Sequence, residues 1–126
     1  MRKHILVLAS FLGAISVLIG AMGTHIFEEY LISLDRLETF EISIKYQFYH
    51  VFLLLVLGLC YNQFNKKFIK ASFFFVLLGF LLFCGSLYLL CFTDNSFFGL
   101  FTPLGGLSFI CAWLCLLFSI RSEDIN

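Results

Sequence analysis

Four long apolar stretches dominate the chain, at about residues 5–22, 44–61, 71–92 and 104–120. The second is most apolar over Phe48–Tyr61 and is extended at its start by Tyr46 and Gln47. About 20 helical residues cross the ~30 Å hydrocarbon layer of a bilayer, and runs of this length favour helices over short barrel strands. The pattern predicts an all-α, polytopic membrane protein with four transmembrane helices, organised as a single membrane domain over residues 1–126.

The connection between the first two spans predicts a short helix of its own. Its apolar residues recur at one-, three- and four-residue steps: Ile26, Phe27, Tyr30, Leu31 and Leu34. Glu28 and Glu29 fall on the opposite side, which is typical of a helix lying in the membrane interface. Asp35 precedes Glu38 by three residues and resembles a capping box, so the second transmembrane helix is expected to begin near Arg36. A solvated connector is the alternative.

Composition agrees with a membrane protein and narrows the partners. Hydrophobic residues make up 61% of the chain and charged residues 13%, about half the charged fraction of a typical soluble domain. The net charge is zero, which gives no electrostatic reason to expect nucleic acid. The lipid bilayer is the expected environment, with a homo-oligomer or another membrane protein as the possible partner. No cofactor is expected.

The placement of charges predicts the orientation in the membrane. The N-terminus carries Arg2 and Lys3, and the loop between the second and third spans carries Lys66, Lys67 and Lys70. Short loops rich in lysine and arginine stay in the cytoplasm. We therefore expect a multi-pass protein of the cell (inner) membrane with both termini cytoplasmic and the acidic first connection outside. A cleaved signal peptide is the alternative for the N-terminus, but its apolar core is longer than the 7–15 residues usual in such peptides.

Small residues follow one face of the first span and one face of the fourth. The series are Ala9, Gly13, Ser16, Gly20 and Gly23, and then Gly105, Ser108, Ala112, Cys115 and Ser119. Transmembrane helices associate by close approach across small side chains. We predict helix packing at Gly13, Ser16, Gly20, Gly105, Ser108 and Ala112. The two faces could meet within one chain or face another copy.

Polar residues collect at the outer end of the four predicted spans. We expect one cluster formed by His25, Tyr46, Gln47, His50, Tyr88 and Thr102. Its centre would be His50, which can act as a hydrogen-bonded interface residue or as a proton-handling group. A metal site is not expected, because His25 and His50 fall short of the three or four ligands of a zinc site. The five cysteines include no C-x-x-C pair and are expected to pack as small apolar residues.

Four segments in this order resemble a known family. They are Gly20–His25, Tyr46–His50, Gly85–Tyr88 and Thr102–Gly106, the last followed by Trp113. The chain is similar to the small membrane proteins grouped as domain of unknown function 423, the YwdK-like family. In that family's pattern Met22 and Thr24 stand where other residues are commoner. The resemblance runs from about Gly13 to Trp113 and implies a multi-pass membrane protein without an established activity.

Three function classes therefore stay open. The leading one is a small structural or accessory protein that binds a membrane partner. The second is a subunit of an oligomeric channel or carrier, although the most apolar part of each span lacks the acids and bases that usually mark ion pathways. The third is a membrane-embedded enzyme, or a lipid or ligand binder, that uses the outer polar cluster. The sequence contains no recognisable nucleophile motif, so we expect no enzymatic activity and no catalytic residue.

Overall fold

Four helical units in the structure are long and apolar enough to cross a bilayer, which confirms the predicted fold class. The computed structural model describes residues 1–122, and the end of the tail at residues 123–126 lies outside the described residues. The helices are α1 (Arg2–His25), α2 (Glu28–Ser33), α3 (Leu37–Leu59), α4 (Lys66–Gly79), α5 (Gly85–Thr93) and α6 (Thr102–Arg121). A π-helical turn, Phe80–Cys84, joins α4 to α5, and a 3-10 helix, Ser96–Leu100, precedes α6.

The predicted short helix between the first two spans is present as α2, but it ends differently from the expected capping box. Asp35 adopts a left-handed backbone with φ of 56°. The Asp35 N–H donates to the carbonyl of Ile32, and the Arg36 N–H donates to the carbonyl of Leu31, which is the Schellman arrangement at a helix C-terminus. No side-chain bond caps α3 at Arg36. The capping-box prediction is wrong because Asp35 terminates α2 and does not begin α3.

The spans pack in pairs around α3. The main contact of α1 is with α3, and the main contact of α4 is with α6. One apolar core joins these pairs at the end of the bundle away from α2: Ile5, Ala9, Leu53, Leu54, Leu57, Tyr61, Ile69, Phe73, Val76 and Ala112. A second, smaller core lies at the end that carries α2, which we call the α2 end, and contains Leu31, Phe40 and Cys91.

The two small-residue faces pack within the chain, but not against each other. A Cβ added at Gly20 would meet Ile44 of α3 at 4.0 Å, and one added at Gly13 would meet Val51 of α3 at 3.5 Å. The corresponding face of α6 instead lies on α4, where Ser72 Oγ donates to the carbonyl of Ala112 at 2.7 Å. The small-residue face of α1 therefore packs on α3, and that of α6 packs on α4. Periodicity identified the faces, but it carried no information about which helix each face would meet.

The π-helical turn in the third span is a feature that the sequence did not predict. The side of the turn that faces α6 lies so close to it that Gly105 has no room for a side chain. An added Cβ would lie 2.6 Å from the carbonyl carbon of Leu82. Its other side reaches α3, where the Ser43 hydroxyl donates to the carbonyl of Cys84 at 3.1 Å. The turn thus links the third span to both of its neighbours.

Candidate functional site

Gln47 joins three transmembrane units through its side-chain amide. It lies on α3 and is only 6% exposed. Its Nε2 donates to Ser16 Oγ of α1 at 2.6 Å, and its Oε1 accepts from the Tyr88 hydroxyl of α5 at 2.6 Å. The Ser16 hydroxyl in turn donates its hydrogen to the carbonyl of Leu12. Its oxygen can therefore only accept from Gln47, which determines that the NH₂ group of the Gln47 amide points toward Ser16. We call Ser16, Gln47 and Tyr88 the Gln47 triad.

His50 lies one turn further along α3 and faces α6. Its Nδ1 is 2.7 Å from the carbonyl of Tyr46, and a carbonyl only accepts, so Nδ1 must carry the hydrogen. Its Nε2 accepts from the indole N–H of Trp113 at 3.1 Å, and an indole only donates. The Phe109 ring stacks on the imidazole with centroids 3.6 Å apart. The partners therefore select the neutral Nδ1–H form of a buried histidine.

Of the remaining predicted residues, Tyr46 contacts His50, whereas Thr102 and His25 are hydrogen-bonded to neither group. Thr102 Oγ1 is 2.7 Å from Ser86 Oγ, a contact that links the start of α6 to α5. Tyr46 contributes its carbonyl to His50, while its half-exposed ring packs on Phe83 with centroids 4.8 Å apart. His25 is exposed at the end of α1, about 13 Å along the helix axis from Ser16 at 1.5 Å per residue.

The structure therefore does not bring the six predicted side chains together as one cluster. Gln47 and His50 are about 60° apart around α3 by helix geometry, and different helices occupy the two directions. Gln47 faces α1 and α5, whereas His50 faces α6. His25 belongs to neither group. His50 is therefore not the centre of a six-residue cluster: among the six, it is hydrogen-bonded to Tyr46, and Gln47 is hydrogen-bonded to Tyr88.

Three side chains outside the predicted cluster take part in these bonds: Ser16, Ser86 and Trp113. The sequence predicts a helix-packing role for Ser16, and it singles out Trp113 only as part of the family resemblance. A serine on the small-residue face of a transmembrane helix is a known source of interhelical hydrogen bonds, which is the signal that could have identified Ser16. For Trp113 the spacing offers no comparable signal.

A cleft open to the side of the bundle separates α1 from α5. Its part nearest the α2 end has a volume of about 280 Å³ and is lined by Ile19, Met22, Phe27, Phe40, Tyr88 and Phe92. A further cavity of about 190 Å³ continues from Ile19 and Tyr88 toward Leu12, Ile15 and Phe80. We call the two together the lateral cleft. Gln47 lies at its floor.

These arrangements are suited to holding helices in place. The Gln47 triad and the His50–Trp113 pair use neutral groups that donate to and accept from one another across helix interfaces. Within residues 1–122, no group of three or more His, Cys, Asp or Glu residues is placed to hold a metal ion. Buried polar side chains in the same range all have hydrogen-bond partners.

Comparison with known proteins identifies the family. The model of the family described as "Protein of unknown function (DUF423)" matches residues 19–106. A UPF0382 membrane protein of Staphylococcus haemolyticus is 33% identical over 117 residues, covering 93% of this chain and 94% of that protein. A UPF0382 membrane protein of Haemophilus influenzae is 30% identical over 126 residues, covering 99% and 100% of the two chains.

A third relative carries a location in its name. The UPF0382 inner membrane protein YgdD of Escherichia coli K12 is 29% identical over 115 residues, covering 91% of this chain and 87% of that protein. No solved structure matches this chain. The matched range contains Gln47, His50, Tyr88 and Thr102. Together with the four membrane-spanning units, these matches show that the chain belongs to the DUF423 family of membrane proteins of unknown function.

Proposed function

We propose that this protein is a non-enzymatic accessory protein of the membrane that binds the transmembrane helix of a partner along one face of α1. The observation that carries the proposal is a row of small, exposed side chains on this helix, which its packing on α3 leaves uncovered. The row consists of Ser10, Ala14, Ala21 and Thr24, and the exposed side chain of Val17 lies among them on the same face. Small residues of this kind allow the close backbone approach on which helix association in lipid depends.

The attachment of α1 to the rest of the bundle supports this assignment. Its buried residues are Ile5, Ala9, Ser16 and Gly23, which lie on average about 130° around the helix from the exposed row. The hydroxyls of the row are already used within α1, where Ser10 donates to the carbonyl of Leu6 and Thr24 to that of Gly20. The hydroxyls of the row therefore present no unpaired hydrogen to the lipid or to a partner helix.

A groove continues the row toward the α2 end. This cavity of about 190 Å³ lies between the ends of α1, α2 and α3, and its lining includes Gly20, Gly23 and Thr24. Glu28 and Glu41 lie at the same groove. Their carboxylates favour a partner helix that carries lysine or arginine just beyond its end on this side. The partner that fits is thus a helix with a small-residue face and a basic flank.

The bonding of the family-motif residues supports an accessory role over a proton-handling one. His50 has both ring nitrogens engaged, one by Tyr46 and the other by Trp113. Gln47 likewise uses both ends of its amide. Groups with partners of this kind stabilise helix contacts whether or not any chemistry takes place.

Charge placement supports a cytoplasmic location for both termini. Lys66, Lys67 and Lys70 lie at the start of α4, and Arg121 ends α6 at the same end of the bundle. The opposite end carries the acids of α2 and of the first turns of α3. Basic loops favour the cytoplasm, so the α2 end is assigned to the outer side.

Site-specific photocrosslinking tests the proposed partner face. A photoreactive phenylalanine analogue at Ala14 should give one discrete polypeptide adduct in intact membranes, whereas the same group at Leu107, on the exposed surface of α6, should not. An added mass equal to this chain identifies a second copy, and another single mass identifies a different protein. Ala14→Trp should abolish the association. The proposal fails if Ala14 yields no polypeptide adduct, or if Leu107 yields the same one.

A further inference from the structure

We propose that the lateral cleft binds one acyl chain of a phospholipid from the leaflet at the α2 end. The cleft lies on a different side of α1 from the small-residue row, since Ile15, Ile19 and Met22 line it, whereas the row contains Ala14 and Ala21. Lipid binding therefore does not rest on the partner helix of the proposed function. It concerns a separate surface with its own occupant.

The chemistry of the walls selects an apolar occupant. The polar groups that reach the cleft are Gln47 and Tyr88, and these already hydrogen-bond each other. The Cys84 thiol, which also lies on the wall, donates to the carbonyl of Ser43 at 3.5 Å. An occupant with polar groups along its length would lose its own hydrogen bonds to water without gaining new ones, which is unfavourable. A hydrocarbon chain forms no hydrogen bonds to water and therefore loses none when it enters the cleft.

The character of the side chains distinguishes an acyl chain from a helix. Bulky apolar residues such as Ile19, Met22 and Phe92 form the walls. A helix–helix contact in lipid is usually built from small residues that let the backbones approach. Those residues lie on the other faces of α1. The lateral cleft therefore suits a thin, flexible chain.

The length of the cleft matches one leaflet. From Leu12 to Met22 the wall on α1 extends about 15 Å, at 1.5 Å per residue. That is about half of the ~30 Å hydrocarbon thickness. Both walls are transmembrane helices, so the long axis of the cleft follows the direction in which acyl chains lie. A single chain would fill the cleft from the interface to near the bilayer centre.

The α2 end of the cleft carries a group suited to a phosphate. Phe27 and Phe92 pack edge to face there, with ring centroids 5.4 Å apart, and the Tyr30 hydroxyl donates to the carbonyl of Phe92. Two residues beyond Phe92, Asp94 accepts from Arg36 Nε at 3.0 Å. A guanidinium has five N–H donors, and the Asp94 bond uses one of them. Arg36 lies one helical turn before the cleft residue Phe40, and in this proposal its remaining donors bind the lipid phosphate while the chain lies in the cleft.

Native mass spectrometry of the protein purified in mild detergent tests this inference. The wild-type chain should retain one phospholipid. Ile19→Trp, which fills the cleft, should reduce the lipid-bound fraction at least fivefold, whereas Val17→Trp on the exposed side of the same helix should leave it unchanged. Arg36→Gln should lower retention of phospholipid but not retention of a neutral diacylglycerol probe.

The outcomes that would overturn the inference are equally specific. A wild-type chain that carries only detergent after reconstitution in phospholipid, or equal retention by Ile19→Trp and Val17→Trp, contradicts it. Met22→Trp serves as the second cleft-filling variant if Ile19→Trp does not fold, as judged by circular dichroism. A photoreactive group at Ile19 should form a lipid adduct that survives purification, and a polypeptide adduct there would instead assign the cleft to a protein partner.

Discussion

The indole N–H of Trp113 donates a hydrogen bond to Nε2 of His50 across 3.1 Å, from α6 to α3. Because Nδ1 of the same ring faces the carbonyl of Tyr46, a second proton on the imidazole would have to point at another donor. The contact therefore makes His50 part of the α3–α6 interface in its neutral form. It explains how a histidine can be buried in a transmembrane helix without a charged partner.

The tautomer of His50 can be observed directly. In the folded protein at neutral pH, nitrogen NMR of ¹⁵N-labelled histidine should show a protonated Nδ1 and an unprotonated Nε2. The two partners allow only this form, because one accepts and the other donates. His25, which is exposed, serves as the internal comparison. A protonated Nε2 at His50 would contradict the assigned bond.

Removing the indole donor should destabilise the bundle. Trp113→Phe keeps an aromatic ring but leaves Nε2 of His50 without its partner, and an unsatisfied buried acceptor costs about 1–3 kcal/mol. Leu114→Phe, on the exposed side of α6, is the matched control and should have little effect. Unfolding in mixed detergent micelles measures the difference. Equal stability of the two variants would show that the bond contributes nothing.

The bond between Gln47 and Tyr88 should appear as an energetic coupling. Tyr88→Phe and Gln47→Leu each break it, and the double variant should lose less stability than the sum of the two. Interhelical hydrogen bonds in membranes couple by about 0.6 kcal/mol on average and reach about 1.7. Tyr49→Phe, whose side chain is 53% exposed, should change nothing. Strict additivity of Tyr88→Phe and Gln47→Leu would argue against the triad.

The adjacent glycines at the start of α6 should respond oppositely to the same substitution. A Cβ at Gly105 would overlap the backbone of the π-helical turn, whereas one at Gly106 comes no closer than 3.8 Å to the Phe83 ring. Gly105→Ala should therefore destabilise the fold by about 1–3 kcal/mol, typical of overpacking. Gly106→Ala should be neutral, or stabilising by up to about 1 kcal/mol, because alanine is the better helix former. Thermal unfolding distinguishes them, and similar shifts would contradict the close approach.

The orientation can be tested with a membrane-impermeant maleimide. Ser33→Cys, in α2, should be labelled in intact cells, and Gln63→Cys, in the turn after α3, only after permeabilisation. The basis is the cluster of lysines beside Gln63, since such loops stay in the cytoplasm. The wild-type chain, with its five native cysteines, sets the background. Labelling of both positions from the same side, or the reverse pattern, would overturn the assignment.

The sequence alone predicts the spans and the short helix α2, because lipid requires about 20 apolar residues per crossing and because an interfacial helix shows its own periodicity. It also determined which face of α1 and of α6 would carry small residues. The orientation still rests on charge placement alone. These properties depend on local composition and residue spacing, and both can be read from the amino-acid sequence.

Which side chains contact one another follows from the packing of the helices and not from the sequence pattern. A periodic pattern identifies a face of a helix but not its neighbour, so Ser16 could not be paired with Gln47, nor Trp113 with His50, before the helices were arranged. The π-helical turn at Phe80–Cys84 likewise arises where the third span contacts α3 and α6 together. His25 lies at the same end of the bundle as the other polar residues, but its side chain is hydrogen-bonded to none of them. The depth of a residue in the membrane can be predicted from the sequence. Which neighbouring helix its side chain faces depends on how the helices pack.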